Sequence, residues 1–334
     1  MRASPALAFV AFLIAFVAAR GAEPAERFSF VAFGCMPYGE ANFAAFERLI
    51  GEINRRRPAF TVHCGDIKLG SEAPTDALLA RVKGWFNQLE GPLMYTPGDN
   101  EWTDVHRNGA DPLVWLEKVR ATYFAEERSL GRAPIPLVTQ RREAAFARYV
   151  ENALWTHGGL VFATVHVVGS NNNLNPAIPG AMEEFHARDA ANAAWIKTTF
   201  AAARALQAPG LALFFQAEPI NSHAAALLAG RESGFARFLA TIEQEAGSFP
   251  GQVLLVHADE HRYRLEPRAA LTRGTGPLGN VTRLETFGGN DIHAVQVVVD
   301  PASPAVFLAG PLLVPSNPLP LLPRPKKAPA PTPP

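Results

Sequence analysis

The chain is short of cysteine, of net charge and of long apolar runs. Only Cys35 and Cys64 occur in 334 residues, too few for a disulfide-stapled scaffold. Lysine plus arginine and aspartate plus glutamate each number 31, so the formal charge is zero. No basic field argues for nucleic acid, and no acidic tail argues for a solvating segment. The one long apolar run, 6–19, has 14 residues and falls short of the about 18 that span a bilayer. Arg2 precedes it and Val17-Ala18-Ala19 closes it, which reads as a signal peptide over 1–22, with an uncleaved anchor as the alternative. The expected location is therefore periplasmic or secreted, with no transmembrane domain after cleavage. The other end, 311–334, is rich in proline, which lacks an N–H and fixes φ; it is expected as a disordered tail beyond a domain over 26–310.

What remains is rich in apolar residues, 48% of the chain, enough for a sizeable core. Apolar runs over 28–33, 59–64, 93–96, 160–168, 211–215 and 253–257 predict strands. Between them, 42–54, 76–89, 189–206 and 234–246 predict helices; Phe43, Phe46, Leu49, Ile50 and Ile53 fall on one helical face. Residues 113–124 and 141–152 predict helices of an insertion, and 261–265, 281–287, 292–299 and 305–308 a β-rich end. No internal repeat occurs. Alternation of strand and helix predicts an α/β fold with parallel sheet, whose sites gather at the carboxyl ends of strands.

Five of those ends carry polar groups directly after apolar residues. They are "GCMPY", "TVHCGDIKLG", "MYTPGDNEWTD", "LFFQAEP" and "LLVHADEHRY". Glycine permits a sharp turn, and the aspartate after it then points over the sheet edge. A single Gly-Asp is an ordinary turn. Two of them, with Asp259-x-His261, supply hard oxygen and imidazole ligands from separate strands, which suits a divalent or trivalent metal.

This ordered set resembles the calcineurin-like metallophosphoesterases, in which Asp-x-His is followed by Gly-Asp, Gly-Asn-His-Glu/Asp, a lone His and Gly-His-x-His. The matching positions here read Cys35-Met36-Pro37, Gly65-Asp66, Gly98-Asp99-Asn100-Glu101, Gln216 and Ala258-Asp259-Glu260-His261. "TPGDNEWTD" and "VTRLETFG" are similar to an exported branch of that family. The resemblance runs from about Arg27 to Leu308. It implies a four-layer α/β/β/α sandwich and a centre of one or two divalent ions (Mn, Fe or Zn). It implies metal ligands at Asp66, Asp99, Gln216, Asp259, His261 and Cys35, with Asp66 and Asn100 at the reacting bond. Cys35 stands where the family has an aspartate, Gln216 where it has a histidine, and Asn100 where it has the histidine that assists the leaving group. The implied function is hydrolysis of a phosphorylated small molecule or phosphodiester with a degraded first-metal site. The alternative is a catalytically silent binding protein of the same fold.

Around this set, Asn171, Asn172 and Arg107 are candidates to contact a phosphate, against their ordinary roles as turn and surface residues. Glu101 is expected to serve its own turn, and His63 to pack. Cys35 and Cys64 end neighbouring strands. They are readable as a disulfide, as two inert thiols, as a soft ligand at Cys35, or as a nucleophile at Cys35.

Overall fold

The computed structural model describes residues 26–272 and 276–320. The expected signal peptide over 1–22 and residues 321–334 of the expected tail lie outside the described residues. The strands are β1 Phe28–Phe33, β2 Phe60–Cys64, β3 Leu93–Thr96, β4 Val138–Thr139, β5 Ala153–His157 and β6 Leu160–Thr164. They continue with β7 Gly210–Phe214, β8 Gln252–His257, β9 Arg264–Pro267, β10 Val281–Glu285, β11 Ala294–Val299 and β12 Phe307–Leu312. The main helices are α1 Phe43–Arg56, α2 Asp76–Phe86, α3 Pro112–Tyr123, α4 Ala181–Ala205, α5 Pro219–Leu228 and α6 Ala236–Gly247.

Two sheets form. One has the order β12-β11-β1-β2-β3, the other β4-β5-β6-β7-β8-β10-β9. Within the first, β1, β2 and β3 are parallel; within the second, β6, β7, β8 and β10 are parallel. Side-chain alternation sets the layers. Phe30 and Ala32 of β1 meet Phe162, Phe214, Leu254 and Val256 in the space between the sheets. Val31 and Phe33 point the other way, onto Phe46, Leu49, Ile50 and Ile53 of α1 and Val82 and Phe86 of α2. Leu211, Leu213, Val253 and Leu255 turn outward onto Trp195 and Phe200 of α4 and Phe238 and Ile242 of α6. Period-two strands buried on both faces thus give the four-layer α/β/β/α sandwich.

Several elements differ from expectation. Residues 141–152 do not form a helix but two short 3-10 turns, Gln140–Arg142 and Ala144–Phe146. Buried side chains hold that segment: Asn152 donates to Gln140 and Asn192, and Glu151 pairs with Arg120 at 2.7 Å. Strand β5 was not expected; it is joined to β6 by Gly158-Gly159, both at positive φ, a hairpin turn that only glycine adopts freely. Helix α5 was also missed, although Pro219 opens it and the Glu218 carboxylate caps it. The tail boundary at 311 is corrected. Pro311 and Leu312 complete β12, paired with Val295 and Ala294. Pro311 is tolerated because β12 is an edge strand. Beyond it, the Asn317 side chain still bonds Arg48, Ala45 and Ile292.

Phe162 lies 4.9 Å from the Phe60 ring and 5.7 Å from the Trp155 ring, between the two sheets. Phe162→Ala is expected to cost about 3–5 kcal/mol in urea unfolding. A loss under about 1 kcal/mol would contradict this packing.

Candidate metal centre

The segments after β1, β2, β3, β6, β7 and β8 converge at one edge of the sandwich. Tight turns bring their side chains inward: Cys35, Asp66, Ser170, Asp259 and His261 all have φ between 49° and 83°. Non-glycine residues there carry backbone strain, which concentrates at sites the surrounding structure over-determines. Gly98 has the opposite role. A Cβ there would lie 2.1 Å from Asp66 Oδ1, so only glycine allows the turn after β3 to close on Asp66.

Asp66, Asp99 and Asp259 are the group that converges, each offering an oxygen within 4.8 Å of the others. The surrounding bonds fix them. Asp66 Oδ2 accepts from the Tyr38 hydroxyl at 3.1 Å, the Gln216 amide at 3.1 Å and the Cys35 thiol at 3.4 Å. Asp66 Oδ1 accepts from the Asn100 N–H at 3.1 Å. Asp259 Oδ2 accepts from the Glu218 N–H at 2.9 Å, and its Oδ1 from Gln216 at 3.1 Å. Asp99 Oδ2 and Asp104 Oδ1 each lie 2.8 Å from the Ser170 hydroxyl. Arg107 pairs with Asp104 at 2.7 Å and reaches Ser170 at the rim. Beneath, Glu101 Oε1 accepts from the Gly98 and Asp66 N–H groups and from the Tyr95 hydroxyl.

Burial and mutual repulsion shift all three carboxyls upward. Asp66 is raised well above the usual carboxylate range by burial, then by Asp99, Glu101 and Asp259. Burial and Asp104 push Asp99 up to about 6, and burial and Asp99 push Asp259 up to about 8. A divalent ion would relieve that repulsion, and carboxylate oxygen is a fitting donor for a hard cation.

Other expected site residues sit differently. Gln216 does not offer its oxygen: Oε1 accepts from the Gly169 N–H at 2.6 Å, leaving the NH₂ turned inward. His261 meets Tyr38, with Nε2 3.5 Å from the hydroxyl. Cys35 is a neutral thiol, raised by burial, Asp66 and Asp259. That state does not suit a nucleophile, which needs the thiolate without a metal's help. The disulfide is not formed; both thiols are free and buried. Cys35 Sγ turns to Asp66, while Cys64 Sγ faces the Val256 carbonyl in the core between the sheets. Asn172 is structural: it accepts from Arg188 at 2.6 Å and donates to the Gly234 carbonyl at 2.9 Å. Asn171 likewise ties its loop to Gly234 and Glu232. The residue of that loop at the centre is Ser170. Asn100 donates from Nδ2 to the Tyr38 hydroxyl at 3.1 Å. His63 packs as expected, bonded to the Met36 carbonyl and ringed by Phe33 and Phe86. Sequence reasoning passed over Tyr38 and Ser170. Only their positions, three residues after Cys35 and just past a buried strand, signalled them.

No family model matches the chain, and no curated protein matches it. Solved structures do. Purple acid phosphatase PPD1 from yellow lupin (Lupinus luteus) seeds matches at 11% identity and TM-score 0.47, over 84% of this chain and 51% of that one. PhoD matches at 12% identity and TM-score 0.48, over 84% of this chain and 65% of that one. TT1561 of Thermus thermophilus matches at 12% identity and TM-score 0.45, over 86% of this chain and 99% of that one. The chain thus spans about half of the lupin phosphatase and under two thirds of PhoD.

The raised carboxyls set a pH dependence. Between the unfolded aspartate value of about 4 and the folded values, the folded state holds more protons than the unfolded one. Metal-free protein should therefore lose stability as pH rises through that window, up to about 8 for Asp259. A cation replaces those protons. Manganese is expected to raise the melting temperature, and to do so more at pH 8 than at pH 5. Equal shifts at both values would contradict a cation on these carboxylates.

Proposed function

We propose that this chain is an exported, metal-dependent phosphoester hydrolase. The observation that carries the reading is the convergence of Asp66, Asp99 and Asp259 within 4.8 Å at the strand ends. The motif order of the sequence supports the same reaction class. Export rests on the N-terminal run over 6–19. Among the described residues no helix is long and apolar enough to cross a membrane.

In this reading Asp66, Asp99 and Asp259 would hold one or two divalent ions (Mn, Fe or Zn). Bound there, a metal would supply Lewis-acid charge to a phosphoryl group and a nucleophile near neutral pH. Arg107, half-exposed beside Asp104, presents its planar fork to the phosphoryl oxygens of a phosphorylated small molecule or phosphodiester. Asn100 hydrogen-bonds at the leaving-group side but has no proton to give. Esters with poor leaving groups should therefore react slowly, forgoing general-acid help worth about 10²–10⁴-fold.

A second reading, a silent binding protein of this fold, is favoured by one observation: Asp66 is already met by Tyr38, Gln216, Cys35 and Asn100. Hydrolysis of an aryl phosphomonoester and an aryl phosphodiester, with manganese, zinc or iron, separates the two. The hydrolase reading expects turnover that Asp99→Asn lowers by about 10²-fold or more. Folded protein with no turnover on either ester would contradict it and favour the binding protein.

Arg107→Ala should raise KM by about 10-fold or more, the size of one charge-assisted hydrogen bond. An unchanged KM would remove Arg107 from the substrate site.

A further inference from the structure

We infer that Tyr38 and Gln216 limit this centre to a single cation, on the Asp99–Asp259 side, because the protein's own donors fill the other side of Asp66. The inference rests on the hydrolase reading and fixes the number of ions that reading leaves open.

An ionised carboxylate has about four acceptor positions. Four donors reach Asp66: Tyr38, Gln216 and Cys35 at Oδ2, and the Asn100 N–H at Oδ1. The main chain of Gly98 closes on Oδ1, where a Cβ would stand 2.1 Å away. Each proton at Oδ2 is directed there by what its own donor accepts. Gln216 Oε1 is taken by the Gly169 N–H at 2.6 Å, so the NH₂ faces inward and bridges Asp66 and Asp259 at 3.1 Å each. Cys35 Sγ accepts the Asp259 N–H at 3.2 Å, so its S–H faces Asp66. The Tyr38 oxygen accepts from Asn100 Nδ2 at 3.1 Å, and His261 Nε2 stands 3.5 Å off, so its O–H also faces Asp66.

A bridging carboxylate must offer one oxygen to each of two ions. Here a cation on the Cys35–His261 side would displace the Tyr38 hydroxyl and the thiol proton. It would also disturb the acceptors of the Asn100 amide and the Asp259 N–H, which bond the Tyr38 hydroxyl and the Cys35 sulfur in a half-buried space. On the other side, Asp99 meets the Ser170 hydroxyl at Oδ2 and Asp259 meets one donor at each oxygen, so both keep acceptor positions open to a cation. The donor cage therefore occupies the positions on Asp66 that a first cation would need.

The test counts ions. Purified protein is dialysed against excess manganese, the bound metal is measured, and the bound ion is examined by electron paramagnetic resonance. One ion per chain with an isolated-ion spectrum is expected. A cobalt(II)-loaded sample should show no thiolate-to-metal absorption band, because the ion lies at Asp99 and Asp259 while Cys35 Sγ is engaged by Asp66 and the Asp259 N–H. Combining Tyr38→Phe with Gln216→His, which removes both limiting donors and adds an imidazole, should raise the count toward two; if that variant fails to fold, the native count decides. Two ions per native chain, or a spin-coupled pair, would overturn the inference and leave the hydrolase reading standing. No ion at saturating manganese would overturn both.

Discussion

Three carboxylates crowd into a buried space, and the rest of the site is arranged around that crowding. Unpaired like charges at this separation push one another's protonation upward, and burial adds to it. Asp66, Asp99 and Asp259 all show that shift. Two means of relief are available: hydrogen-bond donors from the chain and a cation from solution. Four donors from the chain meet Asp66, while Asp99 and Asp259 meet fewer and keep acceptor positions open to an ion.

The surroundings hold that arrangement rigidly. Glu218 gives its N–H to Asp259 and uses its carboxylate to cap α5. Arg283 is buried and binds both Glu218 at 2.7 Å and His257 at 2.8 Å, tying β7 and β8 together behind the site. On the opposite wall, Ser170 to Asn173 occupy four successive left-handed positions. Such a run is costly for L-residues, about 1–2 kcal/mol each. Arg188 offsets it by gripping Asn172 through both its side chain and its carbonyl. The loop thereby sets Ser170 between Asp99 and Asp104.

Much of this was legible in the sequence. Period-two burial in β1, β7 and β8 and the apolar face of α1 follow from the spacing of their residues. Asp66, Asp99 and Asp259 announce themselves by following strands and by the Gly-Asp turns. The less legible parts depend on orientation. Gln216 reads as a weak oxygen ligand until the Gly169 N–H is seen to claim that oxygen. Asn171 and Asn172 look like turn residues facing substrate, but Arg188 and Gly234 lie on their other side. Tyr38 sits beside a proline in a short turn, and composition does not reveal that its hydroxyl meets Asp66. Segment 141–152 carries helical residues, yet Glu151 and Asn152 are held by partners far along the chain. Long-range pairs of this kind leave no local pattern.

The central claim is that one cation sits where Asp99 and Asp259 converge and that Tyr38 fills the place of another. Anomalous diffraction from a manganese-soaked crystal tests it most directly. The account predicts a single peak within bonding distance of Asp99 and Asp259 oxygens, with the Tyr38 hydroxyl still on Asp66. A second peak beside Tyr38 and His261, or no peak among the three aspartates, would contradict it.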